Sequence, residues 1–538
     1  MRPNACVVTL AAAAMSLIGS SALPARAEST DWPSYNRTLT SNRFAPIAQI
    51  NRRNVTGLQV LCSYDTHQVG SFQSGLIETG GALYATTEHD TISIDPNTCK
   101  ENWRVHEEFP SSYLGVARGV AVLDGRVFRG GSDGNVRAYD AKSGKLLWTT
   151  PIANEKAGET VPAAPIAWNG MVFVGNAGGD NKGVKGRMYG LDAATGKIIW
   201  EFYLVPRSGS DIARGPAAPA APTSQARSWK TAAGFEVTGG ATWTSYTLDP
   251  ATGLLYVPGG NPAPDFVKEY RDGDNLFTGS VVVLDAKTGA YRRHTQLVRH
   301  DFHDWDVASA PALFSLGDGR KMLAVAPKDG RLYGIDVARN VVRYRVPVTT
   351  VENEHAPLTS KGVRFCPGSL GGSEWNGPAY DPADGTVITG EVDWCATVHT
   401  DSEETLRGVS EGRAWSGASR DGFGTKDSTS RWAGWLTASD ARTGARKWQF
   451  KAPAPIVSGV TPTAGGLVFV GDASGNLYAF NSSSGAKLWS QNLGAPIGGG
   501  VVTYDAGEGQ RIAVSSGMIS PIWPTEKTAG RIVVFGLK

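Results

Sequence analysis

The sequence predicts an all-β fold, a single closed β-propeller, and three observations support that prediction. Short β-rich segments recur along the chain, each ending in Asp or Asn, usually with Gly four residues later and often with Trp eight residues later. The repeats lie mostly about 40 to 50 residues apart, the length of a four-stranded propeller blade. Strong helical periodicity is scarce. Antiparallel sheets joined by tight turns follow from this pattern.

The repeat has the chemistry of a hairpin turn. The Asp side chain caps the turn, Gly or Asn accepts a positive φ, and alternating apolar residues flank both sides. The recurrent Trp is expected to pack between adjacent blades, and the last strand, 531–535, is expected to pair with an early blade and close the ring. The clear copies are Asp140/Gly144/Trp148, Asp192/Gly196/Trp200, Asp440/Gly444/Trp448 and Asn481/Gly485/Trp489, and the weaker copies are Asp95/Cys99/Trp103, Asp249/Gly253, Asp285/Gly289, Asp336/Asn340 and Asp381/Gly385.

The composition is that of a globular protein rich in turns. Of 538 residues, 41% are hydrophobic and 19% are charged, with 66 Gly and 30 Pro, which excludes disorder along the whole chain. Lys plus Arg number 52 and Asp plus Glu number 50, so the formal charge is +2, and no basic stripe is present. A nucleic acid partner is therefore not expected.

The first 27 residues have the pattern of a secretory signal. Arg2 precedes an apolar run from about Cys6 to Ile18, and Ala25-Arg26-Ala27 forms an A-x-A cleavage site. The run is shorter than the roughly 20 residues of a membrane-spanning helix, so no transmembrane segment is expected. The sequence predicts export, with one mature propeller domain over residues 28–538.

Cysteine usage agrees with export. Four cysteines remain after the signal, an even number in an oxidising compartment. We favour disulfides between Cys62 and Cys99 and between Cys366 and Cys395, which are nearest in sequence, although the other two pairings stay open. No C-x-x-C-H motif is present, so covalent c-type haem is excluded.

Two stretches break the repeat. Residues 207–233 are rich in Pro, Ala and Ser, and residues 401–431 are polar and rich in Gly and Ser. Neither can bury enough apolar surface to form a domain. We interpret both as long excursions from the blades, either solvated loops or a wall over the mouth of a site.

The opening DWPSYNRTLTSNRFAPIAQINRRNV and the Trp repeats resemble the pyrroloquinoline quinone (PQQ)-dependent alcohol dehydrogenases, periplasmic quinoproteins similar to methanol dehydrogenase. The likeness covers nearly all of the mature chain. It implies eight blades arranged radially, with PQQ stacked in a central funnel. The number eight comes from the resemblance, because the repeats alone do not fix it.

The resemblance also implies a metal and a catalytic base. Trp243 in GGATWTSYTLDP matches the indole under the quinone, and a flat aromatic face suits a planar cofactor. Asn261 in GGNPAPD matches an amide ligand of calcium, and Asp180 stands where the family carries a Glu ligand. Asp306, in HDFHDWDVASAP, matches the catalytic Asp, which removes the alcohol proton and contacts the metal. Ala308 stands where lanthanide-dependent members carry another Asp, which favours Ca²⁺.

Three further residues match cofactor contacts in the family. Lys328 matches a cation at the quinone oxygens, and Arg118 matches a guanidinium at a PQQ carboxylate. Gln73 stands where many members have Glu. Ser112-Tyr113 replaces a pair of adjacent cysteines, so that feature of the family is absent. The nearby His300, Asp301, His303 and Asp304 lack a recognisable zinc spacing, and we interpret them as a polar blade edge.

The sequence therefore predicts a periplasmic dehydrogenase that oxidises an alcohol to an aldehyde or ketone with PQQ and Ca²⁺. Small and polymeric alcohols both stay open, and the electrons are expected to pass to an external acceptor such as a cytochrome c. Two alternatives are kept. One is a non-catalytic propeller scaffold of the outer-membrane assembly type, and the other is a PQQ sugar dehydrogenase.

Overall fold

The structure is a computed structural model that describes residues 1, 29–109, 115–212, 214 and 220–538. Apart from Met1, the predicted signal segment 1–27 lies outside the described residues. Ser112 and Tyr113 lie outside them as well. The all-β prediction is confirmed, since the described residues form mostly strands with a few short helices.

Four-stranded antiparallel sheets make up the body of the fold. Strand β1 (Gln59–Val69) precedes the first of them. Sheets A to C follow one another along the chain, each built from four consecutive strands. Sheet A contains β2 (Ile77–Thr79), β3 (Ala82–Thr86), β4 (Asp90–Ile94) and β5 (Glu101–His106); sheet B contains β6 (Ala121–Leu123), β7 (Arg126–Gly130), β8 (Asn135–Asp140) and β9 (Leu146–Pro151); sheet C contains β10 (Ile166–Trp168), β11 (Met171–Gly175), β12 (Arg187–Asp192) and β13 (Ile198–Tyr203).

Sheets D and E come next, and short strand pairs precede and interrupt sheet D. These short strands pair as β14 with β19 and β15 with β18. In chain order the strands are β14 (Lys230–Thr231), β15 (Thr238–Gly239), β16 (Thr247–Asp249), β17 (Leu254–Pro258), β18 (Pro262–Ala263), β19 (Arg271–Asp272), β20 (Ser280–Asp285) and β21 (Tyr291–Gln296), then β22 (Ala312–Ser315), β23 (Lys321–Val325), β24 (Arg331–Asp336) and β25 (Val341–Pro347). Sheet D is β16-β17-β20-β21 and sheet E is β22-β23-β24-β25.

Sheets F, G and H complete the series. Sheet F is β27-β28-β31-β32, sheet G is β33-β34-β35-β36, and a small sheet β26-β29-β30 lies beside sheet F in sequence. The strands are β26 (Val363–Phe365), β27 (Ala379–Asp381), β28 (Thr386–Asp393), β29 (Ala396–Val398), β30 (Thr425–Lys426), β31 (Ala433–Asp440), β32 (Arg446–Ala452), β33 (Thr461–Thr463), β34 (Leu467–Gly471), β35 (Asn476–Asn481), β36 (Lys487–Asn492), β37 (Ile497–Asp505), β38 (Gln510–Ser516) and β39 (Ala529–Gly536).

Helices are short and peripheral in the part of the chain that the structure describes. The α-helices are α1 (Thr223–Arg227) and α2 (Glu403–Gly408), and the 3-10 turns are Val55–Gly57, Glu155–Ala157, Lys268–Tyr270 and Thr429–Arg431. Each α-helix falls within one of the two predicted excursions, outside the four-stranded sheets. Within the described ranges, no helix combines the length and the hydrophobicity needed to cross a membrane.

The sequence repeat docks neighbouring sheets as predicted. Trp103 of sheet A donates its indole N–H to the carbonyl of Ala141 in the next sheet at 3.0 Å, and Trp148 does the same to Ala193 at 3.2 Å. The turn glycine Gly196 has φ +74, and a Cβ placed there would lie 2.6 Å from the Trp148 ring. Glycine is required at this turn both for its backbone conformation and for the indole that packs on it.

Closure of the ring joins the two ends of the described chain. Strand β39 pairs with β38 and with β1, so sheet H has the order β1-β39-β38-β37. Apolar residues of sheets H and A share one core cluster, and similar clusters join each sheet to the next along the chain. The predicted return of the last strand to an early one is confirmed.

Both predicted disulfides are present. Cys62 in β1 is bonded to Cys99, which follows β4, and Cys366 is bonded to Cys395. The first bond joins sheet H to sheet A beside the closure, and the second spans 29 residues around sheet F.

Candidate active site

The predicted site residues lie at one end of the sheets. In an antiparallel four-stranded sheet, the connection from the second to the third strand and the connection to the next sheet emerge on the same side. Asp180 and Lys328 occupy second-to-third connections in sheets C and E, and Asn261 occupies the equivalent place in sheet D. Trp243 and Asp306 precede the first strands of sheets D and E. The repeat turns emerge on the opposite side.

Asp306 lies at the centre of this group and is nearly fully buried. Its Oδ1 accepts the backbone N–H of Asn261 at 2.5 Å, and its Oδ2 accepts the indole N–H of Trp243 at 3.1 Å. The ammonium of Lys328 is 3.2 Å from the same Oδ2. Four residues that the sequence predicted separately therefore meet at one carboxylate.

The turn that carries Asp306 is built by its own sequence. The Asp301 carboxylate accepts the backbone N–H groups of His303 and Trp305 at 3.0 and 2.8 Å. His303 stacks on Trp305 with ring centroids 4.1 Å apart, and the Trp305 indole donates to the carbonyl of Pro367. Asp301 and His303 thus fix the backbone that presents Asp306. They are buried, so the interpretation of this stretch as a polar blade edge was wrong.

Trp243 forms a half-buried aromatic face flanked by two cations. The guanidinium carbon of Arg118 is 4.6 Å from the indole centroid, and Lys328 Nζ is 5.6 Å from it. Arg118 also donates to the Trp243 carbonyl at 3.2 Å and lies 5.2 Å from the Trp375 ring. Burial lowers the pKa of Arg118 to about 10. A cation in this position suits an anionic ligand lying on the indole.

Asp180, Asn261 and Asp265 form a second part of the site. The Asn261 side chain donates to Asp265 Oδ1 at 3.0 Å. Burial raises the pKa of Asp180, and the Asp306 charge raises it further while Lys328 opposes the shift. Burial also holds the pKa of Asp265 well above its usual range, with Asp180 adding to the effect. Carboxylates crowded in this way favour a bound cation or a proton.

Lys328 is the cation that faces these acids. Burial lowers its pKa, but Asp304 and Asp306 outweigh that effect and hold the pKa well above its usual value. Lys328 Nζ donates to Asp304 Oδ2 at 3.3 Å. Asp304, which the sequence analysis left at a blade edge, is therefore a direct partner of the predicted cofactor-binding lysine.

Two acids of the site escaped the sequence analysis, Asp265 and Glu374. Glu374 is 2% exposed, and its Oε1 has no hydrogen-bond partner among the described residues. Burial raises the pKa of Glu374 to about 7, with Lys328 and Arg118 lowering it and Asp306 raising it. The sequence does contain one signal that separates these acids from the turn-capping ones, because neither Asp265 nor Glu374 is followed four residues later by the Gly that marks the repeat turns.

Gln73 remains the least connected of the predicted residues. It is buried, its amide donates to the Ser71 hydroxyl at 2.8 Å, and its Oε1 is without a partner in the described part of the chain. No hydrogen bond joins it to the Asp306 group among the described residues. Its role is still a prediction.

The polar lining fits a cofactor with several oxygens. The buried polar atoms without hydrogen-bond partners in the described chain include Arg118 Nε, Thr242 Oγ1, Glu374 Oε1 and Gln73 Oε1. Unsatisfied buried polar groups are costly, so Arg118 Nε beside the Trp243 ring and Glu374 Oε1, whose carboxylate interacts with Arg118, indicate that a polar ligand completes them. Among the described residues, no group of three or more His, Cys, Asp or Glu could bind a metal ion on its own. A metal here would need amide or cofactor oxygens as well.

Comparison with known proteins identifies the family of the chain. The family described as "Glucose/ethanol/alcohol dehydrogenase, beta-propeller domain", a PQQ family, matches residues 32–128 and 151–339. A second family, "Outer membrane protein assembly factor BamB", matches residues 433–530. Fold and site therefore define the chain as a quinoprotein β-propeller.

Similar proteins extend the match over most of the chain. The quinohemoprotein alcohol dehydrogenase ADH-IIG of Pseudomonas putida is 30% identical over 93% of this chain and 74% of its own length. The dehydrogenase subunit of a quinone alcohol dehydrogenase from Gluconobacter oxydans is 30% identical over 90% of this chain and 70% of its own. The chain belongs to the family of PQQ-dependent alcohol dehydrogenases.

Solved structures of quinoprotein alcohol dehydrogenases have the same fold as this chain. That of ADHIIG from Pseudomonas putida superposes with a TM-score of 0.83 at 25% identity, covering 94% of this chain and 80% of the other. A europium-containing methanol dehydrogenase superposes with a TM-score of 0.82 at 25% identity, covering 95% and 99% of the two chains.

Proposed function

We propose that residues 28–538 form an eight-bladed propeller, exported to the periplasm, that oxidises an alcohol to an aldehyde or ketone with PQQ and Ca²⁺. Eight four-stranded sheets among the described residues, each packed on the next, support the blade number. The paired cysteines fit an oxidising compartment. The acceptor is an external carrier such as a cytochrome c.

The residues divide into cofactor and metal contacts. Trp243 is the floor on which PQQ lies, Arg118 and Gln73 bind its carboxylates, and Lys328 binds the quinone oxygens. Asp180, Asn261 and Asp306 bind Ca²⁺ through oxygen atoms, the ligands that this hard cation prefers. The support for this division is the contact of Trp243, Asn261 and Lys328 with the one Asp306 carboxylate.

PQQ, if bound on Trp243, would supply the two-electron acceptor for the oxidation of the alcohol, and Ca²⁺ held by Asp180, Asn261 and Asp306 would supply a Lewis acid. Asp306 takes the alcohol proton on its carboxylate, as a general base. The N–H groups of Trp243 and Asn261 hold that carboxylate in one orientation, so the acceptor oxygen is already aimed. Lys328 stabilises negative charge that develops beside it.

The single observation that carries the proposal is the buried Asp306 carboxylate held by two N–H donors and a lysine. It is tested by reconstituting the protein with PQQ and Ca²⁺ and following dye reduction with small, aromatic and polymeric alcohols. We expect dye reduction with at least one alcohol and none without PQQ. Full PQQ occupancy with no alcohol oxidised would contradict the catalytic assignment.

Calcium is tested separately. Chelation should abolish turnover, and Ca²⁺ should restore it. Turnover that persists after thorough chelation, or that returns only with a lanthanide, would contradict calcium. Ala308→Asp should shift the metal preference of the site from Ca²⁺ toward a lanthanide, which carries a higher charge, because it adds a carboxylate beside Asp306.

A non-catalytic scaffold is the second candidate, favoured by the BamB match over residues 433–530. Those residues include none of the predicted site residues, so the match concerns the blade repeat. A scaffold would bind no PQQ, which the reconstitution detects by absorbance. A PQQ sugar dehydrogenase differs in substrate, and aldoses belong in the same screen.

A further inference from the structure

The excursion 401–431 reaches the loop that carries Asp180 and pairs with its backbone. The N–H of Trp415 donates to the Asp180 carbonyl at 2.7 Å. The N–H of Lys182 donates to the Arg413 carbonyl, and the N–H of Gly412 donates back to Lys182, both at 2.9 Å. Residues 412–416, hereafter the clamp, thus run antiparallel beside residues 180–182, with an isolated β-bridge between Asn181 and Ala414.

Lys182 fastens the two segments with its side chain. Its ammonium donates to the carbonyls of Val409 and Arg407 at 2.7 and 3.2 Å, and lies 5.5 Å from the Trp415 ring centroid. Three contacts from one side chain tie the Asp180 loop to the excursion. None of them involves a proposed metal ligand side chain.

The clamp also contacts the loop that carries Asn261. The N–H of Phe266 donates to the Ser416 carbonyl at 2.9 Å. Trp415 is buried in a cluster with Ala263 and Val267, and its indole donates to the Leu406 carbonyl at 3.0 Å. One segment therefore braces both loops that carry the proposed metal ligands, although it contributes no ligand itself.

A rigid brace has a particular consequence for aspartate. A single methylene separates the Asp180 carboxylate from its backbone, so the backbone position almost fixes the carboxylate position. We propose that the clamp is a positioning element that sets the distance of Asp180 from Asn261 and Asp306, and that Lys182 and Trp415 are its positioning residues. This inference rests on the proposed calcium site.

The test first removes the side-chain contacts of Lys182 and then lengthens the side chain of the proposed metal ligand Asp180. In Lys182→Met the Asp180 loop loses its side-chain ties, and we expect Ca²⁺ to bind about tenfold to a hundredfold more weakly, the usual cost of losing a positioning contact. Lys182→Met with Asp180→Glu should recover most of that loss, because the extra methylene lets the carboxylate reach from a receded backbone. A general loosening of the fold would not be rescued in this way.

Lys426→Met is the matched control. Lys426 belongs to the same excursion, donates to the Pro521 carbonyl at 2.6 Å and lies 5.9 Å from the Trp432 ring centroid. Among the described residues, no hydrogen bond or ion pair joins its ammonium to the loop of Asp180 or to that of Asn261. Its Ca²⁺ affinity should equal that of the parent. All variants are titrated with Ca²⁺ by calorimetry, after metal removal and with PQQ present, and thermal unfolding checks that each is folded.

The outcomes separate the two proposals. Unchanged affinity in Lys182→Met, equal losses in Lys182→Met and Lys426→Met, or failure of Asp180→Glu to rescue would overturn the clamp alone. Failure of the folded parent protein to bind Ca²⁺ would overturn the calcium site and the clamp together. Weak binding in Lys182→Met, normal binding in Lys426→Met and recovery in the double variant would establish the clamp.

Discussion

Aspartate recurs on both sides of the ring, in the repeat turns and in the connections that carry the site. At a repeat turn, the Asp192 carboxylate accepts the N–H groups of Ala194 and Thr195 and the Thr195 hydroxyl, at 3.1, 2.8 and 2.7 Å. The Thr195 hydrogen bond lowers the pKa of Asp192. The residue is satisfied by its own turn.

The acids of the site are in the opposite condition. Burial, followed by repulsion among neighbouring acids, raises the pKa of Asp180 and holds the pKa of Asp265 well above normal. The residue four positions after Asp192 is Gly196, whereas the residues four positions after Asp180 and Asp265 are not glycine. The turn aspartate Asp192 is therefore stabilised by its own backbone, whereas the crowded carboxylates of Asp180 and Asp265 favour a bound cation or a proton.

The largest effect is expected at Asp306, the proposed general base. In Asp306→Asn the volume is kept but the proton cannot be accepted, so turnover should fall about 10² to 10⁴-fold, roughly 3 to 5.5 kcal/mol of barrier. PQQ content by absorbance and dye-coupled turnover are measured together. Full PQQ content with near-parent turnover would show that Asp306 is not the base.

Trp243→Ala should act on cofactor binding instead. Losing about 150 Å² of apolar contact would weaken PQQ binding by about 4 kcal/mol, roughly a thousandfold. Quenching of protein fluorescence by added PQQ gives the affinity directly. Parent-like affinity would remove Trp243 from the floor of the site.

Glu374→Gln sharpens the comparison through pH. Because the pKa of Glu374 is raised to about 7 in the folded protein, the folded state binds this proton more tightly than the unfolded state, so stability falls as pH rises from about 4.5 to about 7. In protein without PQQ, Glu374→Gln should be more stable than the parent at pH 8 by up to about 3 kcal/mol, and little different at pH 5.

Denaturant unfolding at both pH values measures this difference. Exposed Glu526→Gln is the control and should change stability little at either pH. An equal gain for Glu374→Gln at pH 5 and pH 8 would mean that ionisation of Glu374 is not its source.

The smallest effect is expected at a repeat turn. Asp192→Ala removes three hydrogen bonds of a partly exposed turn and should lower the free energy of unfolding by about 1 kcal/mol. PQQ affinity and turnover should stay at parent values, since this turn lies on the side opposite the site. A loss of turnover in the folded variant would break the comparison.

The sequence was sufficient for features that depend on near neighbours. The turn of Asp192, Gly196 and Trp200 is visible because its residues lie within nine positions of one another. Resemblance to the family supplied Asp306 and its partners Trp243 and Lys328, which the structure brings together. Their contacts join positions more than twenty residues apart, so no local pattern marks them.

Glu374 and the clamp show where sequence reasoning stopped. The surroundings of Glu374 are set by Arg118 and Lys328, which come from other sheets. Residues 401–431 have the composition of a solvated loop, yet Trp415 is buried against loops more than a hundred residues earlier in the chain. Burial of this kind depends on the path of the chain through space, which composition does not record.

Strand β1 pairs with β39, so the sheet that closes the ring combines one strand from near the start of the chain with three strands from its end. Each sheet packs against a neighbouring sheet on both sides, so a sheet that moved outward would lose its apolar contacts with two neighbours. Sheets C, D and E, which carry Asp180, Asn261 and Lys328, lie within this ring, and sheet H, which supplies none of them, completes it. Weakening the pairing of β1 with β39 should therefore disturb the positions of the site residues although neither strand contains one, so activity and ring closure should be lost together.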